Sequence, residues 1–534
     1  MKKCFLILCA AMLVISCSKE EELGKNDLNN VVVTGNLSDK VTDENISKIT
    51  HLTISGTISG EDWNTLFEMA TMGSLEVLDM TNAKIVGKSD VDWWNDDEIP
   101  EYEFSHSKTL KEVFLPNSLK VIGKEAFAEC SKLALVHFPE GLDSIAPRAF
   151  YKSGLSGELS LPSRLRVIAR QAFGWTKVTK VIINSNVIAG KTITQKESAS
   201  GTTSDYSSIY AVGGNSVFAY CENLSEVVVK EGCTKLEIGF QHCTSLSTVV
   251  LPSTLLQIGH ESGNNGNYVF EDCSSLSDIS LPDNLLSIGY NAFAKTSLNE
   301  VAIPDNVQYL GTYAFHKCTQ LKKINMSKQL KQIAHGCFEG CTALGEIEIP
   351  NNVTEVDYKA FADCTSLKTI KFGNSIKTIG RNAFSNCILI QSAVLPSSVS
   401  TLKESAFEGC SSLTKVSLPD DLEEIESSAF KDCIELQDLY IGKSISRVGS
   451  SAFYHCPKLV IVNLPSSVSS IDNYAFAYTG VKTMTVMWST PLPIVSTVFD
   501  GVNLSKALLI VPTGTVEAYR QASIWNDFGQ INEY

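Results

Sequence analysis

Phenylalanine recurs along this chain at a nearly constant interval. It stands at 104, 127, 150 and 173, and again at 218, 240, 270, 293 and 315. It then holds an unbroken 23-residue step through 338, 361, 384, 407, 430, 453, 476 and 499. A fixed period of this length means a solenoid, in which one short coil is copied and stacked on the last. A single coil cannot bury its apolar side, so each must find a neighbour. The 534 residues therefore need no set of separate cores, because a solenoid grows by addition.

The unit between Cys410 and Cys433 shows what each position does. Val416 and Leu418 lie two apart and share one face of a short strand, with Ser417 opposite. Pro419 stops that strand, because it cannot donate to a ladder. Leu422 and Ile425 begin a second inward-facing segment. Small Ala429 allows a close approach, and Phe430 fills the interior. Ser and Asp crowd its flanks, so a short helical or 3₁₀ turn is expected there. Parallel strand ladders repeat at about 4.8 Å, so coils marked by these phenylalanines predict a rod on the order of 80 Å long, ring stacked on ring.

These elements resemble the BspA-type leucine-rich repeat, with its Leu-x-x-Ile-x-Leu-Pro, Ile-Gly-x-x-Ala-Phe and Cys-x-x-Leu segments. Good copies are Leu276–Phe293, Leu298–Phe315 and Leu459–Phe476, and the resemblance covers residues 104 to about 500. It implies an α/β-type solenoid dominated by short parallel β-strands, a rod of about 23-residue coils with atypical end caps. Members of that family are bacterial and protozoal surface proteins, so the resemblance also implies adhesion or ligand capture rather than catalysis.

The N-terminus reads as an export and anchoring signal. Lys2 and Lys3 precede an apolar run, Cys4 to Ile15, that is too short to span a bilayer. Val14-Ile15-Ser16-Cys17 resembles a bacterial lipobox, with Val14 where leucine is usual, which makes Cys17 the expected site of lipid attachment. Lys19 followed by Glu20, Glu21 and Glu22 resembles the surface-export signal of Bacteroidota lipoproteins; read only as a charge run, it is a solvated tether. The expected organisation is a signal peptide (1–16), a lipidated tether (17–29), an N-terminal capping region with off-consensus repeats (30–103), the solenoid (104–500) and a C-terminal cap (501–534). The expected location is the outer membrane, facing outward, with the periplasmic side as the alternative. Contact with the membrane is expected only through the lipid.

Within the N-terminal region Trp63 to Met72 has helical spacing, and Leu52, Ile54, Leu75, Leu78 and Met80 look like worn repeats. At the other end Leu508–Val511, Tyr519, Trp525, Phe528 and Ile531 leave the 23-residue rule, and their aromatics are expected to cover the last coil. The step from Phe173 to Phe218 is 45 residues. Its Ser-, Thr- and Gly-rich middle, with Tyr206 and Tyr210, is either a degenerate coil or a projecting loop. His260–Tyr268 lengthens a second step. Trp93 and Trp94 lie among acids in the stretch Asp90–Tyr102. Trp93, Trp94, Tyr102, Tyr206 and Tyr210 are the candidate ligand contacts, for sugar rings or for a protein, and capping is the alternative role for the tryptophans.

Chemistry is harder to find. The formal charge of −15 argues against nucleic acid and against docking on anionic lipid headgroups. The sixteen cysteines include eleven that stand three residues after a repeat phenylalanine. Ser153, Thr176, Thr296 and Thr479 share that column, and long runs of equivalent cysteines offer no preferred pairing. Free buried thiols are expected, with disulfides and metal as alternatives. The eight histidines form no motif. Asp420, Asp421, Glu423 and Glu424 could mimic a glycosidase pair but repeat at turn positions. Calcium at Asp90–Glu98 lacks EF-hand spacing. No catalytic, metal or cofactor site is assigned, and a monomer that is not an enzyme is expected. The middle strand position (Phe114, His137, Ser160, Ser280, Ala302, Asn325, Glu348, Lys371, Ser417, Tyr440, Asn463) carries no continuous aromatic stripe, which suits a protein ligand better than a glycan. The expected function is lipid-anchored recognition of a protein partner at the cell surface; polysaccharide binding for nutrient capture is the alternative.

Overall fold

The computed structural model describes residues 30–87, 95–184, 188–189, 216–260 and 268–534. It is a parallel β-solenoid of about 23-residue coils with little helix. Each regular coil contributes a three-residue strand, a two-residue strand and a turn. In the reference unit these are Lys415–Ser417, Glu424–Ile425 and the turn around Phe430. Both strands pair in parallel with the next coil, Lys415 with Asp438 and Glu424 with Arg447. Val416 and Leu418 are buried, and the strand ends just before Leu418-Pro419. The long strands form several short sheets rather than one.

The phenylalanines form the spine. All sixteen successive ring pairs from Phe104 to Phe499 are stacked, with centroids 5.0 to 6.0 Å apart. The turn that carries them is not helical. In the Phe384 coil, Ala383, Ser385 and Cys387 donate to Gly380, Asn382 and Phe384 within the coil. The alternate residues Asn382, Phe384 and Asn386 donate instead to Glu404, Ala406 and Glu408 of the next coil. Asn382 and Asn386 have φ of 56° and 58°. Most coils repeat these left-handed residues two before and two after the phenylalanine, as at Glu125 and Glu129 or Ser428 and Asp432. The left-handed residues turn every second N–H out of the local helix and into a third inter-coil ladder. That ladder offsets the strain of holding non-glycine residues there.

The cysteine column is tied to the same carbonyls. Cys410 Sγ lies 3.2 Å from the Phe384 carbonyl oxygen, and Cys318, Cys364 and Cys456 sit 3.0 to 3.3 Å from Phe293, Phe338 and Phe430. A thiol is a weak donor as well as a small apolar group. Thr176, Thr296 and Thr479 bond the phenylalanine carbonyl of their own coil, at 2.7 to 2.9 Å. In these coils, and after Ser153, the next apolar residue comes two positions on rather than three. The described cysteines are buried and unpaired, and burial pushes Cys130, Cys410 and Cys456 up to about 12. Denatured, unreduced protein should therefore titrate thirteen free thiols among these positions; a value near zero would replace this reading with disulfides.

At the N-terminal end, strands Asn30–Val33, His51–Ile54 and Val77–Asp79 continue the ladder, and helix Gly60–Thr71 sets Trp63 edge-on to Phe104 at 6.3 Å. Ser59 and Asp62 close a capping box on that helix. At the other end Trp525 and Phe528 meet Phe499 edge-on at 6.1 and 5.8 Å. Tyr519 and Trp525 donate to the carbonyls of Trp488 and Leu492. Phe173 stacks directly on Phe218 at 5.1 Å, so the 45-residue step is one coil with an insertion and not a degenerate second coil.

Candidate interaction surface

The strands and the turns present two different faces. On the strand face, Phe114 and His137 stack at 3.9 Å, and His137 Nε2 lies 2.8 Å from Glu112 Oε1. Lys180 stands 3.5 Å from both Glu158 and Glu226, and Lys371 and Lys415 pair with Glu348 and Asp438. Charges here answer each other from coil to coil. Exposed pairs of this kind contribute at most about 1 kcal/mol each, and they leave little unmatched field.

Aromatic residues gather on the turn face. Tyr268, Tyr290, Tyr313, His335 and Tyr358 come from five consecutive coils, two or three residues before each phenylalanine. Their ring centroids follow one another at 5.4, 6.1, 4.9 and 4.7 Å, edge-on or tilted. Tyr313 Oη and His335 Nε2 are 3.0 Å apart. All five are half-buried. Lys295 pairs with Glu271 at 3.0 Å and Lys359 with Glu339 at 3.2 Å, so the flanking charges cancel. His316 packs edge-on against Tyr313, and burial holds its imidazole below the ordinary value despite Glu339 at 3.6 Å.

A second aromatic group precedes this row. Trp175, Tyr220 and His242 stand two residues after the phenylalanine of three adjacent coils. Their rings stack nearly parallel, with centroids 4.5 and 4.4 Å apart. Asp272 Oδ2 lies 2.7 Å from His242 Nδ1. The described residues break off at Ala189 and resume at Ser216, and break off at His260 and resume at Tyr268, in both cases between a second strand and the phenylalanine turn.

Of the residues singled out from sequence, Cys17, Trp93, Trp94, Tyr206 and Tyr210 lie outside the described residues. Tyr102 is exposed, with φ of 62° and the Lys124 ammonium 5.2 Å over its ring. It occupies the same turn position as Tyr268 and Tyr313, but it belongs to the Phe104 coil and does not join their row. Asp420 receives Tyr440 Oη at 2.6 Å and Lys443 Nζ at 3.0 Å, which hold its carboxyl below the usual range. In the calcium candidate, Glu98 accepts from Asn95 and Asp96 accepts from the Gly87 N–H.

The family model for the BspA type leucine rich repeat region matches in 6 copies over residues 97–196, 158–262, 263–391 and 377–505. Among solved structures the chain is similar to a leucine-rich repeat protein from Bacteroides ovatus, at 23% identity over 60% of this chain and 87% of that one, with a TM-score of 0.46. It is similar to a leucine rich cell surface protein from Faecalibacterium prausnitzii, at 20% identity over 81% and 90%, with a TM-score of 0.34. It is also similar to a leucine-rich repeat protein from T. pallidum, at 30% identity over 30% and 78%, with a TM-score of 0.27. No curated protein matches the chain.

Proposed function

The chain belongs to the BspA-type leucine-rich repeat family, and on that premise we propose that it is a recognition protein that grips a protein partner with its turn face. The observation that carries this reading is the five-coil row of Tyr268, Tyr290, Tyr313, His335 and Tyr358. Tyrosine rings offer a large apolar body and a polar tip at low entropic cost, and they recur among residues that dominate binding energy. A row with cancelled charges and half-covered rings suits a protein surface. It offers few open ring faces on which a sugar could lie.

The N-terminal segment supports an address at the cell surface. Lipid on Cys17 would hold the rod at the outer membrane, each buried CH₂ contributing roughly 0.8 kcal/mol. The acidic run after Lys19 favours the outward side over the periplasmic one. Labelling intact cells with an impermeant reagent should tag the protein, and an untagged protein would place it inside.

The test of recognition is capture of a protein ligand by the residue 18–534 ectodomain. A Tyr290→Ala/Tyr358→Ala variant should lose at least tenfold in affinity while Lys371→Ala on the strand face changes it little. Capture of polysaccharide on a glycan array, abolished by Trp93→Ala/Trp94→Ala, would instead establish the nutrient-binding alternative.

A further inference from the structure

The strand ladder opens between Leu135–His137 and Ser156–Ser160. The sequence explains why. The Phe150 coil carries Ser153 in the cysteine column and reaches Leu155 one position early. Gly154 permits the shortcut, because a Cβ there would lie 2.4 Å from the Ser131 carbonyl oxygen. The register with the next strand, Lys177–Ile183, shifts by one at Gly157/Glu158, where Thr179 of that strand is left as a bulge, and Gly157 has φ of 76°. On the other side, Phe138 replaces the leucine found at 115 and 161, and its ring packs edge-on to Phe150 and Phe173 at 5.6 and 6.3 Å. The Ser156 N–H still donates to the Ala134 carbonyl at 3.3 Å, but beyond that bond the two strands are unpaired.

The opening is a wedge of about 310 Å³. The two coils that flank it stay joined elsewhere, by the second-strand pairing of Ile145 with Ile168 and by Phe150 stacked on Phe173 at 5.2 Å. Coils held this close leave no room for another strand, yet the volume is at the low end of ligand pockets, roughly 300 Å³. One side chain fits. The lining includes Glu140, Glu158 and His137 and contains no lysine or arginine. Ser163 fixes Glu140 through bonds of 3.2 and 2.7 Å, both to Oε2, which leaves Oε1 with its lone pairs. Glu158 has Lys180 only at 3.5 Å, shared with Glu226, and His137 is engaged by Glu112.

We propose that this wedge is an anchor pocket for a cationic side chain, arginine by preference, projecting from a protein segment that docks on the strand face. A guanidinium presents its donors in a planar fork that suits carboxylates, and Glu140 and Glu158 stand exposed on the two coils that line the wedge. The biological identity of the occupant rests on the recognition reading above, whereas the pocket's chemistry can be tested without any partner. The probe is the blocked peptide acetyl-Gly-Gly-Arg-Gly-Gly-amide, measured by ligand-observed NMR against its neutral citrulline analogue. The ectodomain should bind the arginine peptide and not the analogue. Glu140→Gln/Glu158→Gln should weaken binding at least fivefold, while Asp421→Asn/Glu423→Gln, the same charge change elsewhere, should alter it less than twofold. Ser160→Trp, which fills the mouth without changing charge, should also abolish binding and covers the case in which the double variant melts early. Equal loss in the cleft and control variants, equal binding of the citrulline peptide, or no binding to the wild type would overturn the assignment. None of these outcomes bears on capture through the tyrosine row, so the two readings fail separately.

Discussion

Phe384→Ala should destabilise the solenoid by about 3–5 kcal/mol, the range for emptying a buried aromatic site. The Phe384 ring is fully buried between Phe361 at 5.3 Å and Phe407 at 5.2 Å. Removing it breaks two stacked contacts and leaves a void that neighbours cannot fill, because the second-strand and turn ladders hold the coils on both sides, joined on the Phe361 side by the long-strand ladder. Phe372, edge-on to Phe384 at 5.9 Å, loses its contact as well. In a solenoid each coil is held by its neighbours, so a weak central coil uncouples the halves. The urea transition should move to lower concentration and become less steep. Ser417→Ala, at a partly exposed strand position, should stay within about 0.5 kcal/mol of wild type. Equal losses in the two variants would refute the inward assignment of the phenylalanines.

Glu103→Gln should stabilise the protein at pH 8 and do little near pH 5. Glu103 immediately precedes Phe104, where the neighbouring coils place Ala126, Ala149 and Ala172. It is 9% exposed, and its Oε1 is buried without a hydrogen-bond partner among the described residues. Burial pushes its carboxyl up from 4.5 to about 8. The folded chain therefore keeps a proton that the unfolded chain releases above pH 4.5. Stability is fully present below that pH and falls by about 1.4 kcal/mol per unit as pH rises toward 8. The total is on the order of 4 kcal/mol. Glutamine stays neutral throughout, so the variant should lose far less over the same interval. Parallel wild-type and variant curves in denaturant melts from pH 5 to pH 8 would show that Glu103 ionises normally.

Much of the architecture was legible because the repeat reports itself many times. Val416, Leu418, Ile425 and Phe430 each have equivalents in most coils, and a pattern sampled so often fixes an inward face without any long-range information. The turn was harder. The Ser, Asp and Asn residues that suggested a 3₁₀ turn also favour the left-handed conformation they adopt at Ser428, Asp432 and Asn382, and only contact with the next coil decides between the two. The distinction between thiol and hydroxyl coils was present in the sequence as a spacing, Cys-x-x-Leu against Ser/Thr-x-Leu. The tyrosine row was missed for a geometrical reason. Attention to the outward strand position found no aromatic stripe, while the tyrosines repeat two or three residues before phenylalanine. That one-position scatter hides a row that stacking makes continuous. The wedge needed Gly154 and Phe138 to be seen as exceptions in two adjacent coils, which no single repeat displays.

Small-angle X-ray scattering from the residue 18–534 ectodomain tests the stacked spine most directly. Ladders repeating at about 4.8 Å through this many coils predict a skewed distance distribution with a maximum dimension of roughly 80 Å or more, where a compact chain of this length gives a symmetric one with a radius of gyration of ~24 Å. A symmetric distribution with a radius near ~24 Å would mean that the rings do not form one extended column.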